Sequence, residues 1–314
     1  MSDADDSAGP AVGPVERCAW AKVNLYLHVT GRRPDGYHEI DSLIVFAGVG
    51  DRLRIAPADR LELHVSGPLA AKVPRDRDNL ALRAAERLAD ACRPRAGARI
   101  ELEKHLPVAA GLGGGSADAA AVLNGLADHW RAPVPARTLD EIALELGADV
   151  PVCRYGRPAF VAGIGERLTR APPLPPAWLV LVNPGVDLAT AQVFAARAGG
   201  FSTPGRWTGV LSDTGALTER LAGLGNDLEA SARALAPAVG AVLARLGELP
   251  AVLLARMSGS GATCYGLFAG REAAQAGAAA LAAERPDWWI RVAPLLHGPL
   301  DRLRPPPGRE PAEA

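Results

Sequence analysis

The stretch that most constrains this chain is Leu106-Pro-Val-Ala-Ala-Gly-Leu-Gly-Gly-Gly-Ser-Ala-Asp-Ala-Ala-Ala-Val-Leu123, a glycine-dense loop running straight into an alanine-rich segment. Gly111, Gly113, Gly114 and Gly115 permit positive φ and carry no Cβ, so backbone N–H groups can converge on one point and touch an anion. From Ser116 on, Ala117, Ala119, Ala120, Ala121 and Leu123 favour a helix, which puts unpaired amides and a positive dipole end beside the glycines. Loop and helix terminus together favour a phosphate. The loop lacks the acidic partner of a dinucleotide fingerprint and the Gly-Lys-Ser/Thr that ends a Walker loop. The competing reading is a plain turn whose small residues let a helix pack closely, with Ser116 as its N-cap.

At 314 residues the chain can bury a large core, and two domains are expected. Its 48% apolar and 22% charged residues fit a globular protein, and a net charge of −1 gives no overall pull toward nucleic acid or acidic membranes. Asp118 and the glycines spoil the one long uncharged run as a membrane span. Met1 to Pro14 is acidic and small, unlike a secretory signal, and Cys18, Cys92, Cys153 and Cys264 have no paired spacing. A cytoplasmic protein with reduced thiols is expected.

Along the chain, Cys18 to Val29 alternates as a strand, with Trp20, Lys22, Asn24, Tyr26 and His28 on one face, so that Lys22 and Asn24 stand together on its more polar side. An exposed strand lysine is usually only solvated. Here, however, Lys22, Lys72 and Lys104 are the only lysines, which leaves 31 arginines, so a lysine points to a place that needs a compact ammonium. Pro34 and Gly36 shape a loop that delivers Tyr37 and His38. Strands are expected at 40–45, 52–55, 61–65 and 99–104, with a turn near Pro57 and Asp59 joining the second and third. Asp78 is expected to cap a helix over 79–92, and Thr138-Leu-Asp-Glu141 has the spacing of a capping box ahead of a helix that stops at Gly147. Asp149 falls in the turn that follows, and 158–164 reads as a strand.

Ala171-Pro-Pro-Leu-Pro-Pro176 has the composition of a linker, which divides the chain into a first domain over 16–170 and a second over 171–302. Residues 1–15 and 303–314 read as flexible tails. In the second domain, strands are expected at 178–182, 251–256, 263–268 and 288–292. Helices are expected at 190–198 and 272–283, with Asn226 capping a long helix through Leu246. A second glycine turn, Ser258-Gly-Ser-Gly261, joins two of the strands.

Three separated stretches share one resemblance. Ala21-Lys-Val-Asn-Leu-Tyr-Leu27 with Pro34-Asp-Gly-Tyr-His38, the loop from Leu106 to Ala120, and Met257-Ser-Gly-Ser-Gly-Ala262 resemble the family of 4-diphosphocytidyl-2-C-methyl-D-erythritol kinases. That family lies within the superfamily of galactokinase, homoserine kinase, mevalonate kinase and phosphomevalonate kinase. Leu146-Gly-Ala-Asp-Val-Pro151 and Gly163-Ile-Gly-Glu166 extend the similarity over most of residues 18–295.

The resemblance implies a two-domain α+β fold with its active site in the interdomain cleft. It also implies an ATP-dependent kinase of the non-mevalonate isoprenoid pathway that phosphorylates the 2-hydroxyl of a cytidine-diphosphate-linked methylerythritol. On the same basis Lys22 and Asp149 take the catalytic positions. Pro107, Val108, Ala109, Ala110, Gly111, Leu112, Gly113, Gly114, Gly115, Ser116 and Ala117 form the ATP loop, and Mg²⁺ accompanies the nucleotide. Ala117 stands where the family often has a second serine, which leaves Ser116 the one hydroxyl there for the metal. Tyr37 and His38 match the cytosine site, Asn24 falls beside the acceptor, and Phe194 matches an aromatic that stacks on the base. Ser258 to Gly261 would close over the phosphates. Two alternatives remain, another small-molecule kinase of the superfamily and a non-catalytic nucleotide-binding protein. The Gly36-Tyr-His38 loop speaks against the first, and the retention of both Lys22 and Asp149 speaks against the second.

Overall fold

A computed structural model describes residues 13–74, 78–131 and 133–303, so the expected tails fall outside it except at residues 13–15 and 303. The first half comprises β1 (Val15–Arg32), β2 (His38–Ala58), β3 (Glu62–Ser66), α1 (Leu80–Cys92), β4 (Gly97–Glu103), α2 (Gly114–His129), α3 (Ala136–Leu146), α4 (Val150–Tyr155), β5 (Ala159–Gly163) and β6 (Arg167–Arg170). The second half comprises β7 (Trp178–Asn183), α5 (Thr190–Ala195), α6 (Thr214–Ala222), α7 (Glu229–Leu235), α8 (Pro237–Gly247), β8 (Leu254–Met257), β9 (Cys264–Phe268), α9 (Arg271–Glu284) and β10 (Trp289–Leu296).

β2 is the hub of the sheet, pairing with β1, β4, β5 and β10. The sheet runs β3-β4-β2-β10-β7-β9-β8, and β10 carries it between the halves by pairing Leu295 with Ala47 and Leu296 with Phe46. The expected strands at 40–45 and 52–55 are one strand. β3 does not pair back on it, because β4 inserts between them and takes β3 in parallel. A turn in sequence is therefore not a hairpin here.

β1 decides where the chemistry goes. Every residue from Ala19 to Val29 is buried. Its pairing with β2 shifts register between Asn24 and Tyr26, leaving Leu25 as the extra residue of a bulge. Up to the bulge the alternation holds, and Lys22 and Asn24 share a face. Beyond it Tyr26 turns into the same apolar cluster as Val23 and Leu25 rather than staying beside Lys22. Its hydroxyl is satisfied by Asp41 at 2.7 Å.

Several helix ends differ from expectation for local reasons. Asn79, not Asp78, caps α1, its Oδ1 accepting from the N–H groups of Ala81 and Leu82. Thr138 lies inside α3, which starts at Ala136 after Pro135, so the capping-box spacing is coincidental. α6, capped by Asp213, has no counterpart in the sequence reading. The long helix expected after Asn226 is two helices, because Pro237 lacks the N–H needed to continue the first and Ala236 leaves helical geometry.

Asn226 is not a simple cap. Its side-chain amide donates to the carbonyls of Met257 and Gly259 at 2.9 and 2.8 Å, and its Oδ1 accepts from Leu228 N–H. The segment around it lies along the end of β1, where Leu27 N–H bonds to Gly225 O and Asp227 N–H to Leu27 O. Asn226 thus ties β1 to the second glycine turn. Asn226→Ala strands three buried backbone groups and is expected to lower stability by about 2–4 kcal/mol, read from urea denaturation. An unchanged midpoint would show that water replaces these bonds without cost.

Candidate active site

The glycine loop ends on Gly113, in the left-handed region at φ 61°, and α2 begins at Gly114 rather than at Ser116. Ser116 is therefore in the first turn and not the cap. Ala117 N–H makes the first helical bond, to Gly113 O, so Gly114, Gly115 and Ser116 are left with amides that have no acceptor within the helix. The Ser116 hydroxyl has no protein partner among the described residues. Ala117 is buried with its amide already used, and offers the loop nothing but its small size.

Pro107 and Val108 are half-buried and Ala109 is exposed with φ 52°, while the side chains of Ala110 and Leu112 face the core. The loop's concave backbone is held from behind. Ala110 O accepts from Thr263 N–H, Gly111 O accepts from Ser258 Oγ at 2.9 Å, and Leu112 O accepts from Lys22 N–H at 2.9 Å. A Cβ on Gly111 would stand 2.3 Å from Ser258 O, so the two glycine motifs fit only because this residue is glycine. The second motif is thus more than a strand-joining turn, since it braces the first.

Lys22 comes up from β1 directly against this loop, its Cε 3.1 Å from where a Gly113 Cβ would be. Its Nζ donates to Asn24 Oδ1 at 2.8 Å and pairs with Asp149 Oδ2 at 3.1 Å. Asn24 in turn donates to Ser42 Oγ, and its backbone N–H donates to Ser258 Oγ. Lys22 is buried while Asp149 is 42% exposed on its side chain, so the pair has one fixed member and one open to a ligand. Asp149 is the residue before α4, but its carboxylate caps no backbone amide and turns to Lys22 instead. That departs from the ordinary turn aspartate that the sequence alone permits. An ammonium with one N–H still free, next to an accessible carboxylate and a ring of unpaired amides, can stabilise a transferring phosphoryl group while the carboxylate takes a proton.

On the far side, His38 and Phe194 come together, their rings stacked with centroids 5.2 Å apart. The two residues come from different halves. Burial, Arg32 and Arg197 all lower the His38 pKa, so its imidazole is held neutral further into the acid range than an ordinary histidine. Tyr37 is 62% exposed and makes no ring contact among the described residues. Its N–H closes a small turn on Asp35 Oδ1.

One cluster was not singled out from the sequence. Lys104 Nζ lies between Asp51 and Asp118, all three buried, directly beneath Gly114. Asp51 Oδ1 also accepts from the N–H groups of His105 and Leu106, the residues that lead into the loop. Burial pushes the Asp118 pKa up, against the opposing pull of Lys104. A charged residue amid the alanines of α2 was the available signal. The described residues contain no cluster of His, Cys, Asp and Glu able to hold a metal by itself.

Fold and geometry together define a two-domain small-molecule kinase of the galactokinase, homoserine, mevalonate and phosphomevalonate type. The sequence matches the families "GHMP kinases N terminal domain" over residues 79–157 and "GHMP kinases C terminal" over 209–287. The 4-diphosphocytidyl-2-C-methyl-D-erythritol kinase of Paramagnetospirillum magneticum is 54% identical over 276 residues, which is 88% of this chain and 96% of that protein. A crystal structure of 4-(cytidine 5'-diphospho)-2C-methyl-D-erythritol kinase superimposes with a TM-score of 0.75 at 38% identity, covering 90% of this chain and all of that one. Homoserine kinase from Cytophaga hutchinsonii, 17% identical, shares the fold with a TM-score of 0.67 over 93% of this chain and 97% of its own. This chain belongs to the 4-diphosphocytidyl-2-C-methyl-D-erythritol kinase family.

Proposed function

We propose that this protein transfers the γ-phosphoryl group of ATP to the 2-hydroxyl of 4-diphosphocytidyl-2-C-methyl-D-erythritol, in the non-mevalonate route to isoprenoid precursors. The observation that carries the reading is the Lys22–Asp149 pair, 3.1 Å apart beside the unpaired amides at the start of α2. The domains divide near residue 171, with ATP and acceptor in the cleft between them.

The loop from Pro107 to Ser116 receives the triphosphate, with the free amides of Gly114, Gly115 and Ser116 as donors, and Lys22 adds a fixed positive charge where negative charge spreads over the transferred oxygens. Asp149 accepts the hydroxyl proton, and Asn24 orients Lys22 and the acceptor. The free hydroxyl of Ser116 fits a Mg²⁺ ion carried mainly by the nucleotide's phosphates, an ion that usually takes few protein ligands. When bound, it supplies neutralisation of phosphate charge. Ser258 to Gly261 completes the cradle from the second half. His38 and Phe194 hold the cytosine, with Tyr37 free to fold over it. The working place is the cytoplasm.

Binding energy from the cytidine end should orient a hydroxyl far from the base. Incubation with ATP and a panel of acceptors tests this. The cytidine substrate should react, whereas methylerythritol without its nucleotide, mevalonate and homoserine should be very poor. Equal rates on mevalonate or homoserine would move the protein elsewhere in the superfamily.

His38→Ala should narrow the preference for the cytidine over the uridine analogue, with the Kd for ATP nearly unchanged. Because burial and the nearby Arg32 and Arg197 hold the His38 pKa below that of an ordinary histidine, the KM for the cytidine substrate should rise on acidification, with a midpoint on the acid side of the ordinary histidine value of about 6.5. A rise in KM already complete at neutral pH would contradict a role for neutral imidazole.

A further inference from the structure

In a chain with 31 arginines, two of the three lysines lie against the glycine loop, and the third sits on a turn bonded to the residues that lead into it. Lys22 packs against Gly113, and Lys104 Nζ lies 3.6 Å from the Cβ position of Gly114. The third, Lys72, ends a short 3-10 turn, Ala70–Lys72, stitched to the strand that leads into the loop. Leu69 N–H donates to Lys104 O at 3.2 Å and Lys104 N–H to Ser66 O at 2.8 Å. Gly67, at the start of that turn, has no room for a Cβ, which would lie 2.7 Å from both Lys104 N and Lys104 O. The turn is therefore pinned against the loop's entry.

Lys72 reaches across to the second half. Its Nζ is 3.7 Å from Asp187 Oδ1, with the two side chains 58% and 86% exposed. Asp187 lies between β7 and α5, and the next residue, Leu188, packs 3.4 Å from the Cβ position of Gly261 in the second glycine turn. The pair thus joins the turn beside the entry to one glycine motif to the segment beside the other.

We propose that Lys72 is a phosphate-binding lysine of the nucleotide site, held by Asp187 when the site is empty and transferred to the triphosphate when ATP binds. This rests on the kinase reading above. The loop has no lysine of its own, unlike a Walker loop. Lys104 is held by two buried carboxylates and Lys22 by Asp149 and Asn24, so Lys72 is the ammonium near the loop with only an exposed, long contact to give up. Exposed pairs of this kind hold weakly, and a flexible stem bearing a point charge suits a phosphate that arrives and leaves.

Asp187 and the phosphates compete for one ammonium, so the two substitutions act in opposite directions. The test is calorimetric titration of the full chain with ATP and Mg²⁺, with adenosine measured by competition. Lys72→Ala and Lys72→Gln should weaken ATP about five- to tenfold and leave adenosine within twofold. Asp187→Asn should tighten ATP about two- to threefold, and the double variant should match Lys72→Ala. Unchanged ATP affinity in Lys72→Ala, or weaker binding in Asp187→Asn, overturns the proposal. If wild-type protein phosphorylates the cytidine substrate while these affinities do not move, this inference alone fails. If folded wild-type protein binds no ATP, the kinase reading fails with it.

Discussion

Asp149→Asn is expected to lower kcat by about 10²- to 10⁴-fold while KM for both substrates moves little. The replacement keeps size and polarity but cannot accept the acceptor's proton. The geometry makes the experiment clean. The Asp149 carboxylate caps no helix amide and its protein ion-pair partner is Lys22, so the backbone of α4 has no reason to move. A loss below about tenfold would assign Asp149 to positioning rather than proton removal. Lys22 provides the companion case. Arginine keeps the charge but brings a wide planar group into a space bounded by Asn24 and Gly113.

The glycine loop gives the second large effect, and its glycines are not equivalent. Gly111 has φ 75°, and a Cβ there would lie 2.3 Å from Ser258 O and 2.8 Å from Gly261 O, so Gly111→Val drives the two motifs apart and should abolish ATP binding and turnover. Gly113→Val adds a clash with Lys22 at 3.1 Å on a residue with φ 61°. Gly114 differs from both. Its added Cβ would meet nothing closer than 3.6 Å, and it is the first residue of α2, where alanine is a better helix former. Gly114→Ala should therefore keep the wild-type melting temperature, while the branches of Gly114→Val press on Leu106 and the Lys104–Asp51 pair beneath the loop, which should displace the free amides at the start of α2 and lower ATP affinity. A folded Gly114→Val protein with unchanged ATP affinity would show that the phosphates bind elsewhere.

The sequence carried the two halves of the chemistry where periodicity was local and undisturbed. Alternation put Lys22 and Asn24 on one face of a strand, and they are 2.8 Å apart. The same alternation, carried four residues further, misplaced Tyr26, because the bulge at Leu25 is set by pairing with β2 and not by β1 itself. Helix ends were less legible, since neighbouring polar residues such as Asp78 and Asn79 compete for the same cap and tertiary packing selects between them. The break at Ala236 was legible in principle from Pro237, but the apolar periodicity on either side outweighed it. What sequence could not supply was long-range. The insertion of β4 between β2 and β3, the brace from Ser258 to Gly111, and the Lys104 cluster join residues from 14 to 147 positions apart. Composition hinted at the last of these, because a rare lysine and an aspartate among alanines are both out of place.

The central claim is that ATP's terminal phosphoryl group passes to a hydroxyl of the cytidine-linked substrate held between Lys22 and Asp149. Phosphorus NMR of the reaction mixture tests it most directly. With ATP, Mg²⁺ and 4-diphosphocytidyl-2-C-methyl-D-erythritol, the account predicts conversion of ATP to ADP matched by one new phosphomonoester resonance. The substrate's diphosphate resonances should persist, and a two-dimensional correlation should place the new phosphorus on the 2-oxygen. ATP consumed to inorganic phosphate alone, or a phosphomonoester at any other oxygen, would contradict the account.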